Sequence, residues 1–170
     1  IKFSYSGKVF NYNEEMRGLS NEHTQAGVEI IGFPVHQALE EAIASAKEAL
    51  DAAGVKNYKF EFSHARLLQL IFEELNLPAV KEAELAAYIR DKSITGLKEF
   101  TKENPSQYDK VLEQLPFLFG ETNAVLTKAR QLTDSEAFLT ALDSLEVLTN
   151  RLSDSLPETT LDLAQLPAVP

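Results

Sequence analysis

Apolar and polar residues alternate over residues 1–9, with Ile1, Phe3, Tyr5 and Val9 on one side and Lys2, Ser4, Ser6 and Lys8 on the other, which predicts a half-buried strand. The period is lost in the polar run 11–21 and returns over 23–31, so the two stretches read as a long-looped antiparallel hairpin. After Gly32 and Pro34 the spacing turns helical. Val35, Ala38, Leu39, Ala42, Ile43, Ala46, Ala49, Leu50 and Ala53 share one face, and Gly54 stops the helix. Alternation over 56–63, with Tyr58, Phe60 and Phe62 together, predicts a third strand of the same sheet.

From His64 onward the pattern is helical over 64–76, 79–91, 93–103, 106–115, 121–131 and 134–152, broken at Pro78, Pro105, Pro116 and Gly120. Thr133 is placed as the N-cap of the last helix, with Glu136 completing a capping box. A short strand over 159–163 rejoins the sheet. Strands first and helices later, without βαβ alternation, argue an α+β fold. The division expected is an α+β core portion at 1–63, a helical subdomain at 64–153 and a return to the core sheet at 154–170. Three or four strands are few for so many helices, and the sequence opens at Ile1 inside a strand. It therefore reads as a piece of a larger protein.

Composition narrows the chemistry. With 44% apolar and 25% charged residues the chain belongs with folded globular proteins. The formal net charge is −10, and acidic residues outnumber basic ones on both sides of His64, so no basic platform for nucleic acid is expected. The absence of Cys excludes disulfides, thiolate metal sites and a Cys nucleophile, and points to the cytoplasm. No run approaches the ~18 apolar residues of a membrane span, so no membrane partner is expected. The three His residues lack metal-ligand spacing, and neither a phosphate-binding glycine loop nor a nucleophile elbow is present. No catalytic residue, metal or cofactor is expected. His64, at a strand end, reads as a capping or packing residue.

The second strand carries the most informative pattern. Gln25, Gly27 and Glu29 share one face, with His23 at its border, and Ala26, Val28 and Ile30 form an apolar packing face opposite. An amide and a carboxylate flanking a glycine leave an open slot suited to a small zwitterion or cation, with Gly27 letting ligand atoms approach the backbone. The same spacing also describes a solvated strand face, with Glu29 facing water and Gly27 marking a bulge.

The stretch Phe3-Ser4-Tyr5-Ser6-Gly7-Lys8-Val9-Phe10, the polar loop, and Thr24-Gln25-Ala26-Gly27-Val28-Glu29-Ile30-Ile31-Gly32 together resemble the second signature motif of class II aminoacyl-tRNA synthetases in their histidyl form. The loop departs from that motif. Asn11 stands where the arginine gripping the ATP α-phosphate belongs, Glu14 where a loop arginine is expected, and Leu19 at another basic position. Losing a fixed cation opposite a phosphate removes a charge-assisted contact, so the resemblance implies loss of adenylate formation. Gln25 and Glu29 match the positions that hold the amino acid, at its α-amino group and its imidazole respectively.

That combination is similar to the synthetase-like regulatory-subunit family of ATP phosphoribosyltransferase. The segments Phe62-Ser63-His64-Ala65-Arg66-Leu67-Leu68, Arg90-Asp91-Lys92-Ser93-Ile94-Thr95-Gly96-Leu97, Leu115-Pro116-Phe117-Leu118-Phe119-Gly120 and Leu161-Asp162-Leu163-Ala164-Gln165-Leu166 strengthen the match. The resemblance implies a class II synthetase-like antiparallel sheet, incomplete in this chain, with flanking helices and a helical insertion. It also implies a non-catalytic subunit that binds a short catalytic phosphoribosyltransferase subunit and takes histidine as ligand through Gln25, Gly27 and Glu29. Such a subunit is a homo-oligomer within a hetero-oligomer and relays histidine feedback on the first step of histidine biosynthesis. A first signature motif is expected before Ile1, and a Tyr-Tyr stretch and third motif after Leu166. The competing readings are a histidyl-tRNA synthetase core fragment and a free-standing histidine-binding module.

Overall fold

The computed structural model describes residues 1–10, 21–156 and 158–166, and the chain divides into two compact units, Ile1–Lys56 and Asn57–Pro170. The first unit holds β1 (Lys2–Phe10), β2 (Glu22–Ile30) and α1 (Val35–Ala52). The strands pair antiparallel, from Lys2 opposite Ile30 to Phe10 opposite Glu22, as the alternation predicts. α1 lies against β2, and the Lys2 ammonium reaches Glu41 on α1 at 2.6 Å. The helix ends at Ala52, with Ala53 as its C-cap. Gly54 follows at φ 75°, the left-handed conformation that closes a helix without a Cβ penalty.

One expectation about this hairpin fails. Antiparallel partners point to the same side of a ribbon, so Tyr5 opposite Gly27 and Phe3 opposite Glu29 put the apolar residues of β1 on the polar face of β2. The set Ala26, Val28 and Ile30 is no buried packing face: Ala26 is exposed, Val28 is 44% exposed, and Ile30 is half-buried. The third predicted strand also lies elsewhere. β3 (Phe60–Phe62) does not join β1 and β2, but belongs to a separate three-stranded sheet of the second unit.

In that sheet the order is β3, β5 (Thr159–Asp162), β4 (Phe119–Glu121), with β3 parallel and β4 antiparallel to β5. β4 was not visible in the periodicity, because three residues including a glycine are too short to show an alternation. The helices are α2 (Ala65–Leu75), α3 (Ala79–Arg90), α4 (Ile94–Glu103), α5 (Asp109–Gln114), α6 (Thr122–Arg130) and α7 (Glu136–Leu152), with a 3₁₀ turn at Leu115–Phe117. Their apolar stripes meet in one core that includes Leu67, Ile71, Leu85, Leu97, Leu112 and Leu142, each at most 1% exposed. The apolar spacing along these segments therefore encodes the packing of the second unit.

Helix ends follow local chemistry. Ser135, not Thr133, caps α7: its hydroxyl accepts from the Phe138 N–H at 3.4 Å, while the Thr133 hydroxyl accepts from the Ser135 N–H at 3.1 Å. The cap sits two residues later than predicted, because Thr133 closes a turn of its own in front of it. At β4 the Glu121 carboxylate accepts from the N–H groups of Asn123 and Ala124, which hold its pKa below the ordinary value. Lys92, at φ 49°, reaches Asp162 at 2.8 Å and lies 4.6 Å from the Phe119 ring centroid. Asp162 is buried and also accepts from the Ala164 N–H, so this contact ties the end of α3 to β5.

His64 is the N-cap of α2, its Nδ1 accepting from the Arg66 N–H at 3.2 Å, in keeping with the capping role expected of it. Partial burial lowers its pKa from the ordinary 6.5, because desolvation disfavours the imidazolium. A depressed folded-state pKa means that the unfolded chain binds the proton first. The stability it contributes is present above pH 6.5 and is lost as pH falls through the folded value, where protonation also removes the capping acceptor. His64→Asn keeps an acceptor that does not titrate. Thermal unfolding between pH 7 and pH 5 is expected to show a loss of at most ~1 kcal/mol in the parent that the variant lacks.

Candidate functional site

The candidate residues sit on the first unit's hairpin. Gln25, Gly27 and Glu29 occupy alternate positions of β2 and share a face with Phe3, Tyr5 and Gly7, their partners across the ribbon being Gly7, Tyr5 and Phe3 in that order. His23 lies on the same face, opposite Val9. Gln25 and Glu29 are exposed, and the Glu29 carboxylate makes no hydrogen bond or ion pair among the described residues. Their Cα atoms are four strand residues apart, roughly 13 Å at ~3.3 Å per residue, with Gly27 between them. A free carboxylate at one end and an amide at the other can receive the two ends of a small molecule carrying N–H donors.

The space over Gly27 is not open. A Cβ placed there would stand 2.5 Å from the Tyr5 ring and hydroxyl, so the ring covers the glycine. An aromatic side chain leans over the position opposite when that position has no side chain of its own. The Tyr5 hydroxyl accepts a hydrogen bond from Gln25 Nε2 at 2.7 Å. This corrects the expectation of a slot floored by glycine backbone, since Gly27 makes room for Tyr5. Alternation reads each strand separately and could not find this contact, which depends on the pairing register.

Asn11, Glu14 and Leu19, where the loop departs from the synthetase motif, lie outside the described residues. Among the described residues no three His, Asp or Glu side chains are grouped so as to hold a metal ion, and no helix is long and apolar enough to cross a membrane. A concavity of about 980 Å³ in the other unit is lined by residues of α2 and α3, Phe72, Ala83, Ala86 and Arg90 among them, together with Lys92 and Leu166. No pattern in the sequence pointed to it.

Residues 1–169 match the family model described as Histidyl-tRNA synthetase. The chain is 92% identical over 170 residues to the ATP phosphoribosyltransferase regulatory subunit of Streptococcus thermophilus (strain ATCC BAA-491 / LMD-9), a match covering 100% of this chain and 52% of that protein. It is 54% identical over 169 residues to the protein of the same name from Streptococcus gordonii, covering 99% and 51% respectively. The crystal structure of an ATP phosphoribosyltransferase regulatory subunit/histidyl-tRNA synthetase from Bacillus halodurans matches with a TM-score of 0.77 at 27% identity, over 98% of this chain and 44% of that one. The chain thus spans about half the length of the two streptococcal relatives. A two-stranded hairpin, a separate helical unit and a match over nearly every residue lead to one assignment: the chain belongs to the histidyl-tRNA synthetase family and has its class II synthetase-like α+β fold.

Proposed function

We propose that this chain is part of a non-catalytic regulatory subunit of ATP phosphoribosyltransferase, required by a short catalytic subunit in the first step of histidine biosynthesis and conveying histidine as a feedback signal. The observation that carries this reading is the 92% identity, along the whole chain, to a protein of that name. The synthetase alternative would need a cation on the ATP α-phosphate, where this sequence has Asn11. In the proposed role the protein works in the cytoplasm, as a homo-oligomer of regulatory subunits within a hetero-oligomer.

Histidine is the ligand proposed for the hairpin face. Glu29 accepts from the imidazole, Gln25 meets the α-amino group, and Gly27 leaves the room between them that Tyr5 fills. For histidine to regulate, it must bind one assembly state better than another, because equal affinity shifts nothing. The decisive experiment combines the full-length protein with the catalytic subunit. Copurification, phosphoribosyltransferase activity that depends on the added subunit, and inhibition by histidine are expected. Robust histidine-dependent pyrophosphate exchange would restore the synthetase reading, and a protein that binds histidine without ever associating with the catalytic subunit would favour a free-standing binding module.

Within that reading, Glu29→Ala is expected to weaken histidine binding at least tenfold, the scale of a lost charge-assisted hydrogen bond. Ala38→Ser on α1 is the control and leaves it unchanged. Calorimetric titration checks the pair, and equal curves remove Glu29 from the site.

A further inference from the structure

We infer that Tyr5 is a positioning residue of the histidine slot, fixing the Gln25 amide so that its carbonyl oxygen is presented to the ligand's ammonium group. The inference rests on the reading of Gln25 and Glu29 as a histidine slot and adds to it a residue on the opposite strand. A glutamine amide has two faces of opposite character, an NH₂ that repels an ammonium and an oxygen that accepts from it. Free in water, Gln25 presents either. Here Nε2 donates to the Tyr5 hydroxyl at 2.7 Å, so the amide is held with its NH₂ toward Tyr5 and Oε1 unused by any described residue. The ring that provides this hydroxyl is itself placed by the register, directly opposite Gly27, and can lie there only because residue 27 has no Cβ.

Three residues thus act as a unit. Gly27 admits the ring, the ring carries the hydroxyl to Gln25, and the hydroxyl sets the amide. The ring also replaces glycine backbone as the floor between Gln25 and Glu29, giving an imidazole-bearing ligand an aromatic surface to rest on. A bare glycine floor would favour no part of the ligand. A fixed acceptor at one end selects ligands that carry an ammonium there.

The test uses the full-length protein and two ligands, L-histidine and imidazolepropionate, which keeps the imidazole and carboxylate but lacks the α-ammonium. Tyr5→Phe keeps the ring over Gly27 and removes the hydroxyl. It is expected to weaken L-histidine binding about tenfold, the scale of one hydrogen bond to a charged group, and to leave imidazolepropionate within twofold. In a Gln25→Ala background, Tyr5→Phe should cost nothing further, because its effect runs through the amide. Equal loss of both ligands would mean that Tyr5 serves only as floor and would overturn the inference, as would an unchanged affinity for L-histidine. If the parent protein does not bind histidine, or Glu29→Ala leaves binding intact, the slot itself is refuted and Tyr5 with it. Impaired Glu29→Ala beside a neutral Tyr5→Phe refutes the Tyr5 role alone.

Discussion

Phe138→Ala is expected to lower the stability of the second unit by about 3–5 kcal/mol, the cost of emptying a core aromatic position. Phe138 is 1% exposed in the apolar stripe of α7, and its ring centroid lies 5.7 Å from that of Tyr108 at a 39° tilt. Tyr108 is 2% exposed, and its hydroxyl is 2.9 Å from the Ser135 hydroxyl that caps the same helix. Removing the Phe138 ring therefore opens a cavity and also frees the tyrosine that steadies the cap. Val147 on the same helix is 52% exposed, and Val147→Ala should cost no more than ~0.5 kcal/mol. Urea unfolding followed by circular dichroism distinguishes the two. Coincident midpoints would show that the α7 stripe is not part of a tightly packed core.

The second large effect is a difference between the units of this 170-residue polypeptide. Among the described residues of Ile1–Lys56, Ile43 alone is buried, at 9% exposure, whereas Ile1, Phe10 and Val35 are 70% exposed or more. A two-stranded ribbon is marginal in water, and local opening is cheapest where few apolar contacts hold the backbone. Hydrogen exchange of the 170-residue chain should therefore show the amides of β1 and β2 exchanging at least ~100-fold faster than those at the centre of α7, such as Leu142. Comparable protection in both would mean that the hairpin holds itself by pairing alone. The contrast is also a practical guide, because the histidine binding proposed for Gln25 and Glu29 is best measured on the full-length protein.

The helical unit was legible because its information is local. Apolar residues three and four apart, with breaks at Pro78, Pro105 and Pro116, set the helices to within a few residues, and each stripe found its core without reference to distant sequence. The sheets were less legible. Phe60 pairs with Thr159, a relation that no window of neighbouring residues contains, and the β5 strand that draws β4 into the sheet also lies beyond any such window. The candidate site shows the same divide. That Gln25, Gly27 and Glu29 share a face follows from a two-residue period. That Tyr5 covers Gly27 follows only from which residue of β1 stands opposite, so a slot that looked open from one strand is floored from the other.

The parallel pairing of β3 with β5 sets an order of events during synthesis. Phe60–Phe62 leaves the ribosome long before Thr159–Asp162, and every helix from α2 to α7 lies between them. Contacts of such sequence separation form late, after the intervening chain has collapsed and brought its ends together. Until then Phe60 and Phe62 lack their β5 partner, and the nascent chain carries an aromatic segment open to holding chaperones and to premature association. The arrival of β5 completes this sheet.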